Sequence, residues 1–406
     1  MAKTKIINGN VITPYRIIKN GCVTFENGKI IEVSDRVSSD SCCEDNCGCN
    51  EADKVQIIDA KGKYVAPGFI DIHTHGAGGH DFLDATVEAY LGAAEKHVQH
   101  GTTALVPTMT TSTLEELKEA LEIYKQAKKE NTKGSQFLGL HIEGPYFAMS
   151  QKGAQDPRYI RNPDPKEYKE ILSWGNDIIR WSAAPELEGA LEFGRALKSR
   201  GILASIAHTD AICEQVLEAF ENGYTHITHL YSAMSMVRRI NAYRYAGVVE
   251  AAYLIDEMTV EIIADGSHLP PSLLKLIYKI KGPDRIALIT DSMRAAGQPE
   301  GESILGSLKN GLRVIVEDDV AKLPDRTAFA GSVATTDKLV RNMINLADVP
   351  LIDAVKMMTQ TPASIIGVGD KKGSLVPGKD ADIVIFDDNI QMDTVIVGGK
   401  IMYKRL

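Results

Sequence analysis

Between residues 61 and 368 the hydrophobic pattern repeats one rhythm. A short apolar or β-branched run gives way to a polar or Gly-containing turn, and then to apolar residues spaced three and four apart. Such alternation predicts buried strands followed by amphipathic helices. Eight runs fit the strand pattern: "YVAPGFIDIH" (64–73), "TALVPTM" (103–109), "FLGLHIE" (137–143), "IIRWSAAPE" (178–186), "ILASIAH" (202–208), "THITH" (225–229), "TVEIIAD" (259–265) and "RIALITD" (285–291). The segments between them carry helix signals. Thr113 and Glu116 form a capping box before "LEELKEALEIYKQAKKE", with Gly134 beyond it. In "AICEQVLEAFENG" the apolar positions Ile212, Val216, Leu217 and Phe220 share one face ahead of Gly223, and Pro270–Pro271 suits the first turn of a helix ended by Gly282.

Eight strand–helix alternations predict an α/β fold, a closed (β/α)8 TIM-type barrel. The chain ends read differently. Residues 1–60 and 369–406 hold short alternating strands with Asn-Gly turns at Asn8–Gly9 and Asn27–Gly28. Neither piece has enough strands to stand alone, so the two are expected to join in a small β-sandwich domain beside a barrel spanning 61–368. Residues 294–330 read as a further β excursion, and apolar helices from 332 to 367 complete the barrel wall.

Composition narrows the function. The chain has 406 residues, 44% hydrophobic and 24% charged, with a net charge of -9. That balance suits an ordinary soluble globular protein and gives no electrostatic reason to expect nucleic acid. An anionic substrate then needs a local basic patch. The N-terminal "MAKTKIINGNVITPYR" lacks a signal-peptide core, and no stretch approaches the roughly 18 apolar residues of a membrane span. A cytoplasmic enzyme without membrane attachment is expected. Four of the six cysteines crowd into "SCCEDNCGC". The Cys43–Cys47 spacing falls in the range of zinc ligand pairs, but the flanking Ser, Asp, Glu and Asn favour a polar insertion in a hairpin.

The ionisable residues gather where strands end, which in a barrel of this kind is the active-site face. His73 and His75, two apart on a strand, point the same way with Cα atoms roughly 6.6 Å apart. Glu143, His208, His229 and Asp291 each end a different strand. Imidazoles with a few carboxylates suit Zn2+ or a similar divalent ion. Such a metal polarises carbonyls and acidifies water, which predicts a hydrolase, with Asp291 as the proton acceptor that later returns the proton to the leaving nitrogen.

The motifs "PGFIDIHTHG", "GLHIEGPY", "AHTDA", "THLYSAM", "IADGSHLP", "LITDS" and "GSLVPGKDADIVIFD" resemble, in this order and over nearly the whole chain, those of the N-acetylglucosamine-6-phosphate deacetylase family of the amidohydrolase superfamily. The resemblance implies hydrolysis of the acetamide of N-acetylglucosamine 6-phosphate to glucosamine 6-phosphate and acetate, in amino sugar catabolism. It implies one or two divalent ions per subunit, Zn2+ or Fe2+. Glu143, His208 and His229 would hold the principal ion, and His73 and His75 a second. "WSAAPE" lacks the bridging lysine of many amidohydrolases, in keeping with the Glu143 pattern. His268 matches the histidine that contacts substrate and polarises the acetyl carbonyl. His141, on the Glu143 face, reads equally as a ligand-supporting or a packed histidine; His80, His97, His100 and His226 read as solvated or packing residues.

The match weakens at the phosphate site. The family's Asn-Ala step is here Ser232–Ala233, and the following stretch is longer than usual, with Arg238, Arg239 and Arg244. By its distance from Gly247, Arg244 corresponds to the family's phosphate arginine. Such forks suit a dianion, and in the family this arginine can reach a neighbouring subunit's pocket, which implies a homodimer. The departure leaves open N-acetylgalactosamine 6-phosphate or an N-acyl amino acid as substrate. A metal-free scaffold on the same fold is disfavoured because all six ligand positions are filled.

Overall fold

A computed structural model describes residues 3–35 and 55–405, so the Cys42 to Cys49 stretch lies outside the described residues. Eight parallel strands form the barrel: β1 (Phe69–Thr74), β2 (Thr102–Met109), β3 (Leu140–Glu143), β4 (Ile178–Ala183), β5 (Leu203–Ile206), β6 (Tyr224–Ile227), β7 (Thr259–Ile262) and β8 (Ile286–Leu288). Each pairs in parallel with the next. The last meets the first just past the regular ladder, where Asp291 N–H donates to the His73 carbonyl at 2.9 Å.

A helix follows every barrel strand: α1 (Val87–Gln99), α2 (Leu114–Glu130), α3 (Pro165–Ser173), α4 (Ala190–Ser199), α5 (Cys213–Glu221), α6 (Val248–Leu254), α7 (Pro271–Lys281) and α8 (Thr336–Ala347). The Thr113–Glu116 capping box is present at the start of α2, its two reciprocal bonds 3.1 and 3.3 Å long. α7 begins at Pro271 and stops at Gly282, whose φ of +67° admits glycine readily. In α5 the buried face differs from the expected one. The helix starts at Cys213, Ile212 becomes its cap, Cys213, Val216 and Ala219 face inward, and Leu217 is exposed. The turn held by Ile212 sets the helix phase, and the small Ala219 permits close approach to the strands.

The chain ends meet as expected in one eight-stranded sheet. Ile383–Phe386 pairs antiparallel with Tyr64–Pro67, which itself lies beside Thr4–Ile12. The sheet wraps one apolar cluster that includes Ile6, Val23, Phe25, Val65, Ile383 and Ile396. The run 64–73 is therefore two strands rather than one. Tyr64–Pro67 belongs to the terminal sheet, so that unit continues past residue 60, and Phe69 opens the barrel. Gly68 makes the junction, because a Cβ there would lie 2.1 Å from Thr103 Oγ1. The excursion after β8 is a three-stranded antiparallel sheet, Gly301–Leu305, Leu312–Glu317 and Val320–Lys322. No helix among the described residues is long and apolar enough to cross a membrane.

Candidate metal centre

Of the six expected ligands two sit on regular strand and four do not, His75 among them, one residue past the end of β1 at Thr74. His73 lies on β1 and Glu143 closes β3. β5, β6 and β8 end at Ile206, Ile227 and Leu288, short of the expected His208, His229 and Asp291. Those three residues take left-handed backbone, with φ of 46°, 29° and 47°. A non-glycine residue held there costs on the order of 1–3 kcal/mol. The turn it makes breaks the extended chain and aims the side chain across the barrel mouth.

The six side chains then converge. Asp291 Oδ1 lies 3.1 Å from His75 Nε2 and 3.3 Å from His73 Nε2. Glu143 Oε1 stands 3.1 Å from His229 Nε2, 3.6 Å from His208 Nε2 and 3.5 Å from His73 Nε2, while Oε2 is 3.3 Å from His75 Nε2. Ligands about 2.0–2.1 Å from a tetrahedral ion are separated by about 3.4 Å. The observed spacings cluster around that edge length and mostly exceed those of charge-assisted hydrogen bonds. Two triads result, His73/His75/Asp291 and Glu143/His208/His229, each with its ligand atoms within 4.8 Å of one another.

The imidazoles are oriented for ligation. His75 Nδ1 meets the Thr108 carbonyl at 3.2 Å and His208 Nδ1 the Gln151 carbonyl at 2.8 Å. A carbonyl only accepts, so in both rings Nδ1 carries the proton and Nε2, turned toward the carboxylates, is the atom left for a metal. His73 Nε2 is buried without a hydrogen-bond partner. Charge complements this geometry. Burial disfavours charge on His73, but Asp291 and Glu143 outweigh it and raise the ring to about 9. Burial likewise works to raise Glu143, yet His73, His208 and His229 hold its carboxyl well below the usual range. A buried set that calls for positive charge, with Nε2 atoms aimed inward, fits a divalent cation standing in place of the ring protons.

The centre opens into a cavity of about 330 Å³. His75, Glu143, His208, His229 and Asp291 line its floor, with Ser232, Ala233 and His268 on the walls. His268 Nδ1 is 2.7 Å from Asp265 Oδ2, and its ring packs against Phe329 from the segment after β8. Arg244 is elsewhere. It is exposed on a hairpin, Arg238–Ile240 against Tyr243–Tyr245, and does not line the cavity of its own chain. His141 is buried between Thr108 Oγ1 and Ser182 Oγ with its ring against His73. His97 bonds Thr74, His100 approaches Asp337 and His226 bonds Thr259, all away from the cavity.

Three residues that the sequence pattern did not single out support the centre. Gln155 donates to Glu143 Oε2 at 2.9 Å, its amide fixed because Oε1 accepts from Thr110 Oγ1 and Thr111 N–H. Arg180 and Glu261, both fully buried, form an ion pair inside the barrel. A charge in a strand covered on both faces must find a partner there, and that was the available signal for the pair. For Gln155, on a loop, the pattern offered none.

Residues 64–402 match the family model described as "Amidohydrolase family". The chain is 33% identical over 397 residues to N-acetylglucosamine-6-phosphate deacetylase of Bacillus subtilis (strain 168), covering 97% of this chain and 95% of that one. It is 31% identical to N-acetylgalactosamine-6-phosphate deacetylase of Escherichia coli O157:H7, covering 86% and 90%. Among solved structures, N-acetylglucosamine-6-phosphate deacetylase from Pasteurella multocida superimposes with a TM-score of 0.88 at 28% identity, covering 98% and 99%.

Proposed function

The chain belongs to the amidohydrolase family, and on that premise we propose that it hydrolyses the acetamide of N-acetylglucosamine 6-phosphate, giving glucosamine 6-phosphate and acetate. The carrying observation is the meeting of two ligand triads on the floor of one cavity whose wall bears the His268–Asp265 pair. Glu143, His208 and His229 would hold one divalent ion, Zn2+ by the donor set, and His73, His75 and Asp291 a second. Such an ion, when bound, supplies Lewis-acid polarisation and water acidified toward neutral pH.

The protein's own groups do the rest. Asp291 accepts a proton from the attacking water as the new C–O bond forms at the acetyl carbon. It returns that proton to the sugar nitrogen as the C–N bond breaks, so acetate and the amine leave in balance. His268, anchored by Asp265, donates to the acetyl oxygen and stabilises the charge that develops there. Ser232 and Ala233 contact the sugar phosphate from the cavity wall. Arg244, exposed on its hairpin, completes the phosphate site of a second copy in a homodimer. Acetate release from a panel of N-acetyl sugars, with and without 6-phosphate, and of N-acetyl amino acids tests this reading. Turnover confined to substrates without phosphate would overturn it.

One observation favours a second substrate. Ser232 replaces an amide side chain with a shorter hydroxyl beside the cavity, which alters the donors offered to the sugar phosphate. N-acetylgalactosamine 6-phosphate, named for the Escherichia coli relative, is therefore the competing substrate in the same panel.

A further inference from the structure

Glu261 on β7 neither reaches the cavity nor belongs to either triad, yet it is fully buried and so is its partner Arg180 on β4. Arg180 uses all its donors. Nη1 and Nη2 hold the two oxygens of Glu261, the second at 2.8 Å, and the rest go to the Ile72 carbonyl, Ser205 Oγ and Thr228 Oγ1. A buried ion pair is often no more stabilising than apolar residues of the same volume, so packing alone does not account for it. The fold has a use for the carboxylate. Glu261 Oε2 lies 3.2 Å from Nδ1 of His73, whose opposite nitrogen faces Asp291 and Glu143 without a hydrogen bond.

We propose that Glu261, clamped by Arg180, is the positioning residue for the His73/His75/Asp291 ion site: it accepts the Nδ1–H of His73 and so presents the Nε2 lone pair to the metal. His75 and His208 achieve the same tautomer with backbone carbonyls. His73 alone of the three does it with a carboxylate, which also makes the ring a stronger donor to a metal. Arg180 keeps that carboxylate ionised and supplies the compensating charge, so the pair adds no net charge beneath the ions. The assignment rests on the metal reading above and extends it to one of the two sites.

The test uses the full chain with Glu261→Gln, and with Arg180→Met/Glu261→Met, which removes both charges together and leaves neither unpaired. Zn2+ is counted per chain and its affinity is read by chelator competition, while NMR of 15N-histidine-labelled, Zn2+-loaded protein follows the His73 Nδ1–H. Both variants are expected to weaken one ion by about 10–100-fold, leave the other unchanged and lose the low-field resonance of the carboxylate-bonded proton. Wild-type protein that binds Zn2+, with variants that bind it equally well and keep that resonance, would sink this assignment alone. Wild-type protein that binds no Zn2+ would sink the metal reading itself.

Discussion

Asp291 donates its backbone N–H to the carbonyl of His73 at 2.9 Å and holds Oδ1 3.3 Å from the Nε2 of the same histidine. The bond that joins the last strand to the first thus also sets the distance between a carboxylate and a ligand imidazole. Because the joining bond is main-chain, Asp291→Asn is expected to keep the fold and the ion held by Glu143, His208 and His229. Turnover should fall by about 10²–10⁴-fold as the proton acceptor is lost. Acetate release and metal content, measured on the same preparation, check this. Near-wild-type turnover would remove Asp291 from the role.

Arg244→Ala is expected to raise KM for phosphorylated substrates and leave unphosphorylated analogues unaffected, since uniform binding is what a phosphate contact supplies. A contact made across two copies adds a second signature. The wild-type KM should rise as the protein is diluted below its dimerisation range, and the Arg244→Ala KM should not. Kinetics with both substrate types over a range of enzyme concentrations decide the point.

Gln155 meets Glu143 through an amide whose orientation Thr110 and Thr111 impose. Gln155→Leu leaves one carboxylate oxygen without its donor. Zn2+ affinity at the Glu143 site is expected to drop by about 10–100-fold, as read by chelator competition. Unchanged affinity would make Gln155 a cavity wall only.

Burial pushes His97 down to about 3, with the nearby His100 adding to the effect. The unfolded chain takes up this proton near pH 6.5 and the folded chain does not until about 3. More protons on the unfolded state mean that stability falls as pH falls through that window. His97→Gln is expected to flatten the decline of Tm between pH 6.5 and 4 relative to wild type. Parallel Tm–pH curves would show that His97 does not contribute.

The barrel and its ligands were legible because both depend on local periodicity. Strand-ending His and carboxylate side chains recur with the strands themselves, and His73 and His75 show the two-residue repeat directly. The local backbone at His208, His229 and Asp291 was not legible. Each looks like the last strand residue, and only the chain's need to turn over the barrel mouth reveals the left-handed conformation. Arg180 and Glu261 were passed over for a related reason. Each stands within a run that reads as a buried strand, where a charge needs a partner, but local pattern does not show that β4 and β7 bring these two side chains together inside the barrel. The run 64–73 misled in the same way, since apolar continuity cannot show that one stretch of chain serves two sheets.

That last stretch has a practical corollary. Tyr64–Pro67 is stitched into a sheet made from strands near both ends of the chain, and one residue further on, past Gly68, begins the barrel strand that carries His73. A tether at either end of the chain, as on a surface or in a fusion, would load a sheet that is one residue away from the ligand-bearing strand. The place of attachment is in this way a mechanical handle on the catalytic centre.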